Sequence, residues 1–380
     1  MLTLDGCRAR VTRLRSKLDT LDSSGQIDAV VVHRPEHLLY LANFLPELTS
    51  LNYNSSSFLV IDADGRSTLF VDNWLAPGDE PPAESAIDDV VVTTWYDCVA
   101  PAQNRSTVVA ASVTKHLQNI KARRIAAERS VLPVTISDDL DVLDVEPLIR
   151  ELRQIKDPDE LAAIRRGVHT AEAIHAASRD SLREGMTELD FYSQLVQRAI
   201  VAAEAPFVMM CDLASGPRAA QGGGGPTLRV MEKGELVILD IFPLVEGYRG
   251  DITNTLVVGA QPTTEQQELF DTVHSGLEAG ASLLHPGTPV KEVYGAIDET
   301  FHRSDPARSL IHHAGHAIGL GHPEAPEIVP ESDAVLAEGM VITLEPGLYG
   351  VPSGGIRLEH DYLITKDGAE RLSEHSLGLA

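Results

Sequence analysis

The sequence predicts an α/β domain followed by an α+β domain. Two observations lead there. Residues 26–150 alternate short apolar strands with helical patterns, whereas the second half places two long helices and a glycine-dense loop ahead of apolar strands broken by sharp turns. The 380-residue length is enough for two domains with full cores, and 43% hydrophobic with 23% charged residues excludes a globally disordered chain.

In the first half, Ile27–Val32 reads as a strand, Phe58–Ile61 as a second that turns at 62–65 into Ser67–Val71, and Val90–Thr93 as a fourth, in a largely parallel or mixed sheet. The boundary is expected near residue 150, giving domains 1–150 and 151–380. Just beyond it, Asp157 is an N-cap, Pro158 occupies the first helical position, and Glu160 completes a capping box. Leu161, Ile164, Val168 and Ala171 then share one helical stripe, and a further helix is expected over Glu188–Ala203. Four consecutive glycines, Gly222–Gly225, invite a phosphate-loop reading. No Lys-Ser/Thr follows them and no strand-to-helix context surrounds them, so a loop that lets backbone approach a site closely fits better.

The chain carries 31 basic and 56 acidic side chains, a formal charge of −25. So acidic a protein lacks the basic footprint that nucleic acid and anionic membranes require, and neither is expected as a partner. Cys7, Cys98 and Cys211 are few, odd in number and far apart, which suits a reducing cytoplasm better than a disulfide framework. No signal-peptide apolar core lies in the first twenty residues, and no apolar run of about eighteen occurs. A soluble cytoplasmic protein is expected.

Asp240 interrupts the apolar strand 236–242. A lone carboxylate there must be paired, protonated or bound to a metal. A hairpin centred between Val245 and Glu246 would set Asp251 directly opposite it, with Cβ atoms about 5 Å apart, where the two acids repel unless a cation lies between them. A second hairpin repeats the arrangement with Glu345 and Glu359, across a turn expected over Tyr349–Gly355. Its strand alternation places Arg357, Glu359 and Asp361 on one face. Between the hairpins, His312, His313, His316 and His322 concentrate four of the fourteen histidines. Four carboxylates with imidazole and no thiolate form a hard, oxygen-rich environment that suits Mn, Co, Fe or Zn in a two-metal site, and hydrolysis is its natural chemistry.

These residues resemble the pita-bread metallopeptidase superfamily, which includes aminopeptidase P, prolidase, methionine aminopeptidase and creatinase. Residues 153–160 look like the domain-entry signature, and the second half follows the family in order. The resemblance implies five metal ligands for two divalent ions, Mn or Co first and Zn or Fe next: Asp240, Asp251, His316 in His-x-x-Gly-His, Glu345 in Glu-Pro-Gly-Leu-Tyr, and Glu359 in Gly-Ile-Arg-x-Glu. It implies that His312 lines the substrate pocket, that Arg357 buttresses Glu359, and that Glu345 shuttles a proton while hydroxide held between the ions attacks the scissile carbonyl. Residues 26–72 are similar to the N-terminal domain of creatinase and prolidase, which favours the Xaa-Pro branch. The expected fold is therefore an α/β creatinase/prolidase-type domain followed by an α+β pita-bread domain with a curved antiparallel sheet, the expected substrate is a small peptide, and the expected assembly is a homodimer.

Two positions depart from that pattern. Pro323 stands where prolidase and aminopeptidase P carry a substrate-contacting histidine, with His322 one residue early, and Gly223 replaces the histidine of the family's Pro-His-Gly-x-Pro-Thr segment. His322 recovers the role only if the loop kinks at the proline. Losing one transition-state donor costs about 3 kcal/mol. The departures motivate two alternatives: the same metal site acting on another small C–N substrate or in a lyase reaction, and a non-catalytic pita-bread binding protein. The second sits poorly with retention of all five ligands.

Overall fold

A computed structural model of the chain describes residues 2–21, 26–46, 57–76, 78, 80–205, 207–351 and 354–380. Two compact units, Met1–Arg153 and Gln154–Ala380, divide inside the helix Glu146–Gln154, three residues beyond the boundary expected from sequence. Residues 47–56, within the stretch that resembles the creatinase N-terminal domain, lie outside the described residues.

The first unit holds a six-stranded mixed sheet in the order Asp89–Thr93, Ser67–Asp72, Phe58–Asp62, Ala29–Val32, Arg124–Ala127, Asp141–Asp144. The tight turn after Asp62 makes Phe58–Asp62 and Ser67–Asp72 an antiparallel hairpin. The strand Ala29–Val32 lies antiparallel to the first of these and parallel to Arg124–Ala127. The helix Arg105–Asn119 begins at Asn104, whose side chain accepts from the Thr107 N–H, and it presents Val109, Val113 and Leu117 to Val31, Phe58 and Phe70.

The second unit begins with the helix Pro158–Ser181, in which the Glu160 carboxylate accepts from the Asp157 N–H at 3.0 Å. Of the expected stripe, Ile164, Val168 and Ala171 are buried and Leu161 is half-buried. The second expected helix forms over Glu188–Ala203. The helix Pro158–Ser181 packs unusually close to the segment that carries Asp251. A Cβ on Gly167 would stand 2.4 Å from the Gly250 nitrogen, and one on Gly250 the same distance from that of Val168.

Four antiparallel sheets follow among the described residues. One orders Ile252–Val257, Leu236–Ile241 and Cys211–Ser215; a small one orders Tyr248–Arg249, Leu244–Val245 and Phe207–Val208; another orders Glu324–Glu327, Gly315–Ala317, Val341–Leu344, His360–Thr365 and Gly368–Arg371; a two-stranded ribbon pairs Gly347–Val351 with Gly354–Arg357. The ribbon is joined to the first sheet by a side chain: the Thr255 hydroxyl donates to the Arg357 carbonyl at 2.9 Å and accepts from its N–H at 3.1 Å.

The structure corrects the register of the first expected hairpin. Leu244 pairs with Arg249 and Val245 with Tyr248, so the turn is centred between Glu246 and Gly247, one residue later than expected. Both turn residues have positive φ, 48° and 90°, as the two-residue turn that matches strand twist requires. Asp240 therefore faces Thr253, and Asp251 lies diagonally, two residues before it. A shift of two residues keeps the face, so both acids still point to one side.

The second hairpin keeps one register but breaks in its middle. Leu344 pairs with His360 and Gly347 with Arg357, while between those pairs one hydrogen bond still crosses the hairpin, from the Leu358 N–H to the Pro346 carbonyl at 3.3 Å, and the acids leave the ladder. Pro346 has no N–H for the ladder. The Glu345 N–H instead donates to the Ala314 carbonyl at 2.9 Å and that of Glu359 to the Thr253 carbonyl at 3.0 Å. The turn expected over Tyr349–Gly355 is mostly strand, because pairing continues to Val351 and Gly354; Pro352 and Ser353 lie outside the described residues.

Candidate metal centre

The two hairpins and the histidine segment converge on one buried cluster. Ligand-type atoms of Asp240, Asp251 and Glu359 lie within 4.8 Å of one another, as do those of Asp251, His316 and His322, and those of His312, His313 and Glu345. His316 links the sets, with Nε2 3.5 Å from Oδ2 of Asp251 and 3.3 Å from Oε1 of Glu345. All five expected ligands are thus brought together, and His312, His322 and Arg357 stand around them.

The carboxylates fit divalent ions. Oδ1 of Asp240 and Oδ1 of Asp251 are buried and accept no hydrogen bond among the described residues. Each would be costly to bury as a bare anion. Burial pushes the Asp240 carboxyl up despite the Arg357 charge. Burial first, and the neighbouring acids next, push Asp251 and Glu359 well above the usual carboxylate range. A cation between them reverses that preference. The imidazole of His316 is turned the right way: Nδ1 lies 2.9 Å from the Ala317 carbonyl, so Nε2 is the nitrogen that faces the two carboxylates.

Surrounding groups hold the ligands. Glu359 accepts from the Thr253 hydroxyl at 2.6 Å and from that of Thr343, and the Asp251 N–H donates to Oδ2 of Asp361 at 3.0 Å. The expected link between Arg357 and Glu359 is not what the structure shows. Arg357 donates from Nη1 to Asp240 at 2.6 Å, from Nε to Tyr349 at 3.0 Å and from Nη2 to the Gly222 carbonyl at 2.5 Å. The cause is the break after Arg357: Thr255 pins the Arg357 backbone to the strand Ile252–Val257, and Glu359 turns to the two threonines instead.

Glu345 is the exception among the acids. Burial opposes its ionisation, yet hydrogen bonds from His313 and His316, aided by Arg357, hold the carboxyl well below the usual range. His313 Nε2 stands 2.8 Å from Oε1 of Glu345, and that bond raises the imidazole. His312 contacts the Tyr349 hydroxyl at 2.7 Å; burial lowers its ring and pushes the Tyr349 phenol up to about 12.

His322 reaches the cluster, with Nε2 2.7 Å from Oδ2 of Asp251 and its ring stacked on Phe242 at 4.2 Å between centroids. Its loop is fastened from behind. Glu324 accepts from the Gly321 N–H at 2.6 Å and lies 3.4 Å from Nζ of the buried Lys156. A cavity of about 630 Å³ opens onto these groups, lined also by Asp212, Gly222 and Gly223.

Sequence reasoning named His313 only as part of the histidine cluster, without a role, and missed Asp212, Tyr349, Thr253 and Thr343. The threonines were findable, because each is a polar residue in an apolar strand on the same face as a neighbouring acid. His313 lies in an irregular segment without periodicity, and Asp212 in a short strand ahead of the glycine loop.

A sequence profile of metallopeptidase family M24 matches residues 162–366, and one of the creatinase/prolidase N-terminal domain matches residues 10–155. The chain belongs to metallopeptidase family M24. This M24 metallopeptidase is a metal-dependent hydrolase with a creatinase-type first domain and a pita-bread second. It is 32% identical over 240 residues to an Xaa-Pro dipeptidase of Pyrococcus furiosus, a stretch covering 60% of this chain and 66% of that one. It is 30% identical over 277 residues to an Xaa-Pro dipeptidase of Pyrococcus horikoshii, covering 68% and 75%. The crystal structure of the prolidase from P. horikoshii superposes with a TM-score of 0.81 at 25% identity, over 98% of this chain and 100% of that one.

Proposed function

We infer that this M24 metallopeptidase is an exopeptidase that hydrolyses Xaa-Pro bonds in small peptides. The carrying observation is the cluster itself, in which Asp240 and Asp251 each keep a buried carboxylate oxygen without a hydrogen bond among the described residues, and Asp251 stands between Asp240 and Glu359 on one side and Nε2 of His316, itself beside Glu345, on the other. Similarity to two Xaa-Pro dipeptidases supports the substrate class. Asp240, Asp251, His316, Glu345 and Glu359 would hold two divalent ions, with manganese or cobalt suited to an oxygen-rich set. Bound there, the ions polarise the scissile carbonyl and lower the pKa of water.

The side chains do the rest. Glu345, which lies in the cluster beside His313 and His316, would accept the proton given up by the attacking water and return it to the leaving nitrogen. His322 donates from Nε2 to Asp251, which fixes that carboxylate with Oδ1 free for an ion. His312, its ring held between the His313 carbonyl and the Tyr349 hydroxyl, shapes the cavity wall against which the substrate would lie. Arg357 holds Asp240 in place. Three free cysteines suit a reducing cytoplasm, and no described helix is long and apolar enough to cross a membrane. The assembly we propose is a homodimer, which light scattering on the purified protein tests.

Assay of Xaa-Pro dipeptides and Xaa-Pro-Xaa tripeptides with added manganese or cobalt decides the reaction. Metal-stimulated release of proline from dipeptides supports a dipeptidase, and removal of the first residue from tripeptides supports an aminopeptidase. Turnover of neither class, with any metal, removes this reading and favours another small C–N substrate, as the departures at Gly223 and Pro323 allow.

A further inference from the structure

Four carboxylates line the cavity, and three of them are engaged. Asp240 accepts from Arg357, Asp251 faces His316 and His322, and Glu345 faces His313 and His316. Asp212 is the fourth. It sits on the strand Cys211–Ser215 directly opposite Asp240, so it faces the same side of the sheet. Its side chain is one-third exposed, and among the described residues its one ion-pair contact is with Nη1 of Arg357 at 3.7 Å, outside hydrogen-bond range. Arg357 has already directed all three of its nitrogens at Asp240, Tyr349 and Gly222.

The space that Asp212 occupies exists because position 223 has no side chain. A Cβ on Gly223 would stand 2.7 Å from Oδ2 of Asp212, and the glycine's φ of +139° is one that L side chains rarely adopt. The departure at Gly223 therefore coincides with a carboxylate projecting into the substrate cavity.

We propose that Asp212 is a specificity-determining residue of this site, selecting substrates with a cationic side chain on the residue N-terminal to the scissile bond. The proposal rests on the Xaa-Pro reading and extends it to a substrate class. An uncommitted carboxylate on the wall accepts a charge-assisted hydrogen bond from an ammonium or guanidinium group, and it repels an acidic side chain, so the discrimination has an attractive and a repulsive part. The expected substrates are Lys-Pro and Arg-Pro peptides, with Glu-Pro disfavoured.

The test is calorimetric titration of the manganese-loaded protein with lysine amide and norleucine amide, which share a chain length and differ in the terminal charge. The wild type is expected to bind lysine amide about tenfold more tightly, with a preference that shrinks as sodium chloride is raised. Asp212→Asn should bring the ratio close to one and Asp212→Glu should retain most of it. Equal affinities in the wild type, a preference indifferent to salt, or one that survives Asp212→Asn would overturn the proposal. Turnover of Lys-Pro and norleucyl-Pro is measured in parallel. A wild type that cleaves neither refutes the reaction, while the ratio of binding constants still decides the role of Asp212.

Discussion

Arg357 donates from Nη1 to Oδ2 of Asp240 at 2.6 Å, while Oδ1 of the same carboxylate is buried and unpartnered among the described residues. One oxygen is held by the protein and the other is left for a ligand, a division of labour typical of groups behind a metal. Arg357→Met should therefore weaken metal binding by about 10- to 100-fold while the protein stays folded. Equilibrium dialysis of manganese against wild type and variant, with circular dichroism as the folding check, measures this. Unchanged affinity would show that Arg357 does not orient Asp240 for an ion.

The acids set a pH dependence with a definite sign. Asp251 and Glu359 have carboxyl groups raised well above their ordinary values by burial and mutual repulsion, so the metal-free folded protein holds more protons there than the unfolded chain does. Stability of the metal-free form consequently falls as pH rises from the ordinary carboxylate range of about 4 through the raised values. Ions displace those protons and remove the loss. The increase in Tm on adding manganese should be larger at pH 8 than at pH 5, and a constant or falling increment would contradict the assignment.

His322 and His316 separate by role. His316→Ala removes a ligand and should cost bound metal. His322→Ala removes the group fixing Asp251 from the cavity side, so at saturating metal it should retain both ions while kcat falls about 100-fold. Metal content by elemental analysis, set beside turnover, tells them apart; equal metal loss in both variants would make His322 a ligand.

Close packing gives a prediction about stability alone. Gly167→Ala adds a methyl 2.4 Å from the Gly250 nitrogen and should destabilise the second domain by about 1 to 3 kcal/mol. Gly295, in the helix Val290–Ser304, has nothing within 4 Å of its added Cβ, and Gly295→Ala should stabilise by about 0.4 to 1 kcal/mol. Thermal melts of both variants check the contrast.

Much of this site was legible in the sequence because its ligands are polar residues set in apolar strands, where burial makes a charge conspicuous. Asp240 and Glu345 announce themselves that way, and alternation correctly carries Arg357, Glu359 and Asp361 to one side. The pairing of Asp240 was misplaced because register depends on which two residues take positive φ, and Glu246-Gly247 rather than Val245-Glu246 does so. The partner of Arg357 was missed for a related reason. The ladder opens at Glu345 and Glu359, and a side chain at such a break follows tertiary contacts that no periodicity records. Asp212 was hidden because its meaning depends on Gly223, eleven residues away and adjacent only in the folded chain.

The most direct test is titration of the metal-free protein with manganese while proline release from a Xaa-Pro dipeptide is followed. Activity should be absent in chelator, rise with added metal and level off at two ions per chain, the number that Asp240, Asp251, His316, Glu345 and Glu359 would hold. Proline release that persists in chelator, or a protein that binds two ions and releases none from any Xaa-Pro peptide, would contradict the account.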